Sequence, residues 1–147
     1  MTTSELAMVD TNVLVYAADQ TSPFHEPSRQ LRDQGMTGAV ALALSPQVLL
    51  EFFAVITNPK RVLQPRSPKE AREEIEKYLQ ARQIRKIYPG PDILDRILAL
   101  LQTYEVRRQE VFDVYLAATM LTNNVTRIYT YNREHFEKFT ELAVFTP

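Results

Sequence analysis

Short apolar runs alternate along the chain with longer stretches of mixed polarity. Leu6, Ala7, Met8 and Val9 end abruptly in Asp10, Thr11 and Asn12, after which apolar residues resume. This pattern predicts a buried strand that delivers Asp10 to the edge of a sheet, with Thr11 and Asn12 in the turn. A short helix or turn is expected over residues 13–19. Pro23 and Pro27 punctuate the entry to a helix over about residues 26–34, ended by Gly35. The apolar run at 39–44 reads as a second buried strand. Ser45-Pro46 then supplies an N-cap and a residue suited to the first helical position, and the helix continues to Ile56 before Asn58-Pro59 stops it.

Residues 59–67 read as a connector carrying Pro59, Pro65 and basic side chains. Ser67-Pro68-Lys69-Glu70 has the form of a capping box and opens a charged helix to about Arg82. A strand is expected at 84–88, a break at Pro89-Gly90-Pro91, and an amphipathic helix over about 92–104. Asp113 heads a later helix that ends at Asn123-Asn124. A strand at 127–131, a helical turn at 133–139 and a last strand at 142–145 complete the series. Strands alternating with helices predict an α/β fold, a three-layer α/β/α sandwich around a small, mostly parallel sheet of about five strands. No repeat, low-complexity tract or linker divides residues 1–147, so one domain is expected.

Composition narrows the classes. At 147 residues, 45% hydrophobic and 24% charged, the chain has the makeup of a soluble globular domain able to bury a core. The absence of Cys excludes disulfides, Cys-based zinc sites and a thiol nucleophile. Residues 1–5 carry no basic stretch or long apolar core, so no signal peptide is expected. No apolar run reaches the ~18 residues of a membrane span, and the cytoplasm is the expected location. The net charge of −1 hides an uneven distribution: residues 60–86 hold nine Lys or Arg against four Glu, leaving the remainder acidic. Such a split suggests an acidic pocket flanked by a basic element, although a solvated helix with pairs such as Glu73 and Lys77 explains the same charges.

Four positions share a pattern, each a polar or acidic residue at the site-facing end of an apolar element: Asp10, Glu51, Asp113 and Asn132. In a parallel sheet the carboxyl ends of the first and fourth strands lie on one edge, where open α/β folds build their sites. Each residue also has a local explanation. Asp10 can stabilise a turn, Asp113 can cap a helix, Asn132 can accept a tight turn, and Glu51 can belong to a polar stripe with Gln47 and Asn58. Glu51 fits its local explanation least well, because it interrupts Val48-Leu49-Leu50 and Phe52-Phe53 with a charge. Three gathered carboxylates repel and raise a pKa unless a cation is present, and oxygen-only sites suit Mg²⁺ or Mn²⁺. Neither His25 nor His135 has a helical His partner for zinc, and Gly35, Gly38 and Gly90 are too scattered to form a phosphate loop.

These residues resemble the PIN domain family, and most closely its free-standing VapC-type ribonuclease toxins. Residues 9–14 (Val-Asp-Thr-Asn-Val-Leu) resemble its first motif, 45–51 its second, 112–119 its third and 129–136 its fourth. The resemblance implies a Mg²⁺- or Mn²⁺-dependent endoribonuclease, usually a homodimer and often neutralised by a cognate antitoxin. It implies that Asp10, Glu51 and Asp113 are catalytic and hold the metal, with Thr11, Asn12, Thr130 and Asn132 orienting them. Asn132 departs from the pattern, standing where many members have Asp, which puts a second metal in doubt. Glu110, one helical turn before Asp113, is expected in solvent. Lys60, Arg61 and Arg66 are expected to contact the RNA backbone. No membrane association is expected. Two competing readings are an aspartyl phosphatase, which wants a second Asp where this chain has Asn12, and a catalytically weak or inactive PIN-like module that binds RNA or protein.

Overall fold

Five strands of two or three residues form one sheet in the computed structural model, which describes residues 5–147. The expectation of no signal peptide rests largely on residues 1–4, which lie outside the described residues. In chain order the elements are β1 (Ala7–Val9), α1 (Thr11–Ala18), α2 (His25–Thr37), β2 (Leu42–Leu44), α3 (Pro46–Ile56), α4 (Pro68–Gln80), β3 (Arg85–Lys86), α5 (Ile93–Thr103), α6 (Val111–Thr122), β4 (Arg127–Tyr129), α7 (Arg133–Phe136) and β5 (Ala143–Phe145). The strand order is β3-β2-β1-β4-β5. Every pairing is parallel, with Met8 opposite Ala43 on one side and Ile128 on the other. All residues of β1 and β2 are buried, so both faces of the sheet's centre are covered, as the α/β/α arrangement requires.

Several boundaries differ from the sequence-based expectation, each for a local reason. Thr11 and Asn12 are not in a turn. Asp10 accepts the Thr11 N–H and caps α1, which starts at once. Helix α2 does not stop at Gly35 but runs to Thr37 and closes on Gly38, whose φ of 82° is the left-handed geometry that glycine tolerates. Gly35 serves packing instead, since a Cβ there would lie 2.4 Å from Leu42 Cδ1. Asp113 does not cap α6. That helix begins two residues earlier, after a 3₁₀ turn at Arg108–Glu110, and Asp113 sits in its first turn. Both the Ser45 cap and the Ser67–Glu70 capping box are present.

The chain travels from β1 outward through β2 to β3, then crosses to β4 on the other side of β1. The carboxyl ends of β1 and β4 therefore flank the point where strand order reverses, the crevice at which open parallel sheets bind ligands. Met8, Leu42, Leu44, Ile128, Val48, Phe52, Val114 and Met120 fill the core beneath it. Among the described residues, no helix is long and apolar enough to cross a membrane.

Candidate active site

Asp10 leaves β1 at this crevice with 8% of its surface exposed. Both carboxylate oxygens accept hydrogen bonds: Oδ1 the Thr11 N–H at 2.8 Å, and Oδ2 the Thr130 hydroxyl at 2.8 Å and the Asn12 amide at 3.3 Å. Thr130 follows β4, so the two strand ends of the switch point are joined through Asp10. Asn12 adds a second tie, its Oδ1 accepting the Tyr131 N–H at 3.2 Å. The Thr130 oxygen also accepts the backbone N–H of Asn132 at 2.9 Å.

Glu51 arrives from the middle of α3. Thr11 Oγ1 donates to its Oε2 at 2.8 Å, and Gln47 Nε2 donates to its Oε1 at 3.1 Å. The same Gln47 nitrogen donates to the Phe112 carbonyl at 2.8 Å, which ties α3 to the residue before Asp113. Both partners are acceptors, so the amide must present its nitrogen to them. Its own Oε1 is left buried with no protein partner. Asp113 is half-buried, and its Oδ2 lies 3.3 Å from His135 Nδ1. Asn132 stands on the exposed rim, at the start of α7, with no side-chain capping bond. Glu110 is exposed, and its pair with Lys138 at 2.8 Å holds its carboxyl below the usual range.

The acids sense one another. Burial is the largest cause raising the pKa of Asp10. Hydrogen bonds from Thr130 and Thr11 oppose the rise, and the charge on Glu51 adds to it. Asp113 is pushed up to about 6, first by burial; His135 opposes the shift, and Asp10 and Glu51 reinforce it. Among the described residues, no three Asp, Glu or His side chains are posed as a ready cluster for an ion. Each acid is instead turned onto a local partner: Asp10 onto Thr130 and Thr11, Glu51 onto Thr11 and Gln47, Asp113 onto His135. The donor chemistry fits a hard divalent cation. It is all carboxylate oxygen, partly removed from water, in a field that already favours protonation and that a cation would relieve.

The basic candidates lie elsewhere. Lys60 and Arg61 are exposed in the turn that follows α3. Arg66 Nη2 donates to the Ala18 carbonyl at 2.7 Å, bracing the end of α1 distant from Asp10. Two residues beyond the expected set also contact the acids. Gln47 had a visible signal, its spacing of four residues from Glu51 on one helix face. His135 had none, because its meeting with Asp113 depends on how α6 packs on α7.

A parallel sheet of this order, with hydrogen-bonded acids at its reversal point, defines an α/β protein built around an acidic crevice. The chain belongs to the PIN domain family, whose profile matches residues 7–142. Ribonuclease VapC48 of Mycobacterium tuberculosis is 26% identical over 138 residues, 94% of each chain. The crystal structure of VapC20, a toxin from the same organism that cleaves the sarcin-ricin loop, superposes with a TM-score of 0.68. It is 14% identical, over 91% of this chain and 95% of that one. A toxin-antitoxin complex from Klebsiella pneumoniae contains a chain with TM-score 0.60 and 19% identity, covering 93% of this chain and 95% of that one.

Proposed function

We propose that the chain is a divalent-metal-dependent endoribonuclease that cleaves RNA phosphodiesters and acts as the toxin of a toxin–antitoxin pair. The observation that carries this reading is the meeting of acids at the sheet's reversal point: Thr11 holds Asp10 and Glu51 together, and Asp113 is pushed up to about 6, first by burial and then by the charges of Asp10 and Glu51. It occurs in a PIN domain chain whose curated relative is named a ribonuclease. Mg²⁺ or Mn²⁺ is the cofactor, held by those three carboxylates. When bound, such an ion supplies Lewis-acid polarisation of the phosphodiester and a water acidic enough to attack it near neutral pH.

The protein's own contribution is orientation. Thr130 holds Asp10 from the β4 side and Asn12 from α1, while Thr11 touches two acids at once, Asp10 through its N–H and Glu51 through its hydroxyl. Asn132 steadies Thr130 through its backbone N–H, so exchanging Asp for Asn at this position leaves that bond in place. Such supporting contacts typically govern metal affinity by one to two orders of magnitude. Lys60 and Arg61, and the part of Arg66 not committed to Ala18, contact RNA phosphates.

A homodimer and an antitoxin are the expected protein partners, and the cytoplasm is where substrate and partner would meet. Two apolar surfaces support such contacts. Leu94 and Leu98, one turn apart on α5, are 69% and 62% exposed. Between α3 and α4 lies a groove of about 210 Å³ lined by Leu49, Leu50, Ile75, Leu79 and Tyr88.

The test is incubation with structured RNA, and separately with a phosphomonoester, in Mn²⁺, Mg²⁺ or EDTA, with Asp10→Asn as control. Metal-dependent RNA cleavage that disappears in Asp10→Asn is the expected result. RNA that is bound but never cut in any metal would overturn the enzyme assignment, and phosphomonoester hydrolysis alone would favour a phosphatase.

A further inference from the structure

We propose that Phe24 is a stacking platform for an unpaired RNA base next to the acidic crevice, an inference that rests on the ribonuclease function above. Phe24 ends the loop between α1 and α2 and closes a cluster of three rings. Its centroid lies 4.8 Å from Tyr131 at 37° and 5.2 Å from Tyr16 at 44°, and Tyr16 meets Tyr131 edge-on at 5.2 Å. The cluster is held from several sides. The Tyr131 hydroxyl and buried Ser28 share a 2.8 Å hydrogen bond, Ser22 Oγ accepts the Phe24 N–H at 3.0 Å, and His25 Nδ1 lies 2.9 Å from the Tyr16 carbonyl.

The cluster is joined directly to the acids. Tyr131 follows Thr130 in the chain, and its N–H donates to Asn12, whose amide donates to Asp10. The segment that orients Asp10 therefore also fixes the ring beneath Phe24. Tyr16 and Tyr131 are half-buried, whereas Phe24 remains 43% exposed. A single exposed apolar residue is ordinary in itself. Here the ring is braced by two others and is tied through Tyr131 and Asn12 to Asp10, so a base can stack with little loss of side-chain freedom. Base–aromatic stacking tolerates any sequence and changes affinity on the order of tenfold or more. Only unpaired bases offer their faces, so duplex RNA gains nothing from the platform.

The chain contains no Trp, so Phe24→Trp places a single tryptophan at the platform, which can be excited apart from the seven Tyr. In an Asp10→Asn background that prevents cleavage, short random-sequence single-stranded RNA and a matching duplex are titrated. Phe24→Trp should bind single-stranded RNA as tightly as its parent, with quenching by the single strand and not the duplex. Phe24→Leu, apolar but without a π face, should weaken single-strand binding about tenfold, leave duplex binding unchanged and keep the parent's melting temperature. Parent-like affinity in Phe24→Leu, equal losses on both RNAs, or an unquenched Trp would each overturn the platform. So would quenching by a co-purified antitoxin but not by RNA, which would make this a protein-docking face. Cleavage by the unsubstituted protein separates the two failures. If it cuts RNA while Phe24→Leu binds normally, only the platform falls; if it neither binds nor cuts, both readings fall.

Discussion

Thr11 donates its hydroxyl to Glu51 Oε2 at 2.8 Å, joining residues forty positions apart, while its backbone N–H holds Asp10. One residue at the start of α1 thus sets the relation between two acids that would otherwise repel, its backbone holding one and its hydroxyl the other. Thr11→Val keeps the shape and removes the hydroxyl. The Mn²⁺ concentration for half-maximal cleavage should rise about 10- to 100-fold. Circular dichroism should be unchanged, and an unaltered metal requirement would remove Thr11 from the site.

Gln47 bridges Glu51 and the Phe112 carbonyl, so it governs the spacing of α3 and the start of α6. Gln47→Ala should lower stability by about 1 kcal/mol, the usual net worth of a hydrogen bond, and reduce cleavage. Gln47→Glu should be worse on both counts, because a carboxylate then faces a carboxylate and a carbonyl. Melting curves and cleavage rates on the two variants check the order; a Glu variant as active as the parent would contradict it.

Asp10 and Asp113 both hold protons more tightly when folded than their ordinary values allow. The folded chain therefore binds more protons than the unfolded chain between 3.8, the ordinary value for Asp113, and its folded value of about 6. The contribution of Asp113 to stability is complete below that window and is lost as pH rises through it; that of Asp10 has the same sign. Metal-free protein should melt at lower temperature at pH 7 than at pH 5, and Asp113→Asn should flatten the slope while abolishing cleavage. Mn²⁺ at neutral pH should recover stability, by about 2.7 kcal/mol at a hundredfold excess over Kd. Differential scanning fluorimetry across pH, with and without Mn²⁺, reads all three. A large loss of stability in Asp113→Asn would instead mark Asp113 as a structural residue.

Gly35 tests the fold away from the site. A methyl group there meets Leu42 Cδ1 at 2.4 Å, so Gly35→Ala should cost about 1–3 kcal/mol by overpacking, despite better helix propensity. Urea melts should recover part of the loss when Leu42→Val is added.

Signals that act within a few residues were readable from the chain alone. Ser45-Pro46 and the Ser67–Glu70 box mark helix starts because a side-chain oxygen captures a backbone N–H two or three positions on. Apolar runs at 6–9 and 39–44 announce buried strands because a sheet covered on both faces needs no polar residue. The order of four motifs around Asp10, Glu51, Asp113 and Asn132 points to the family whose profile matches residues 7–142.

Tertiary structure decided the rest, since those choices depend on strand order and helix packing, which no local pattern encodes. Gly35 looked like a helix stop, yet packing against β2 makes it an interior residue of α2. Asp113 is expected to head its helix, yet α6 begins two residues before it, leaving its carboxylate to face His135. Arg66 looked like an RNA contact alone, and its guanidinium also braces Ala18. The hydroxyl that holds Asp10 comes from Thr130, a residue 120 positions away that reaches it only because β4 pairs beside β1. The amino-acid sequence specifies which groups carry chemistry; the parallel register of two three-residue strands specifies which of them meet.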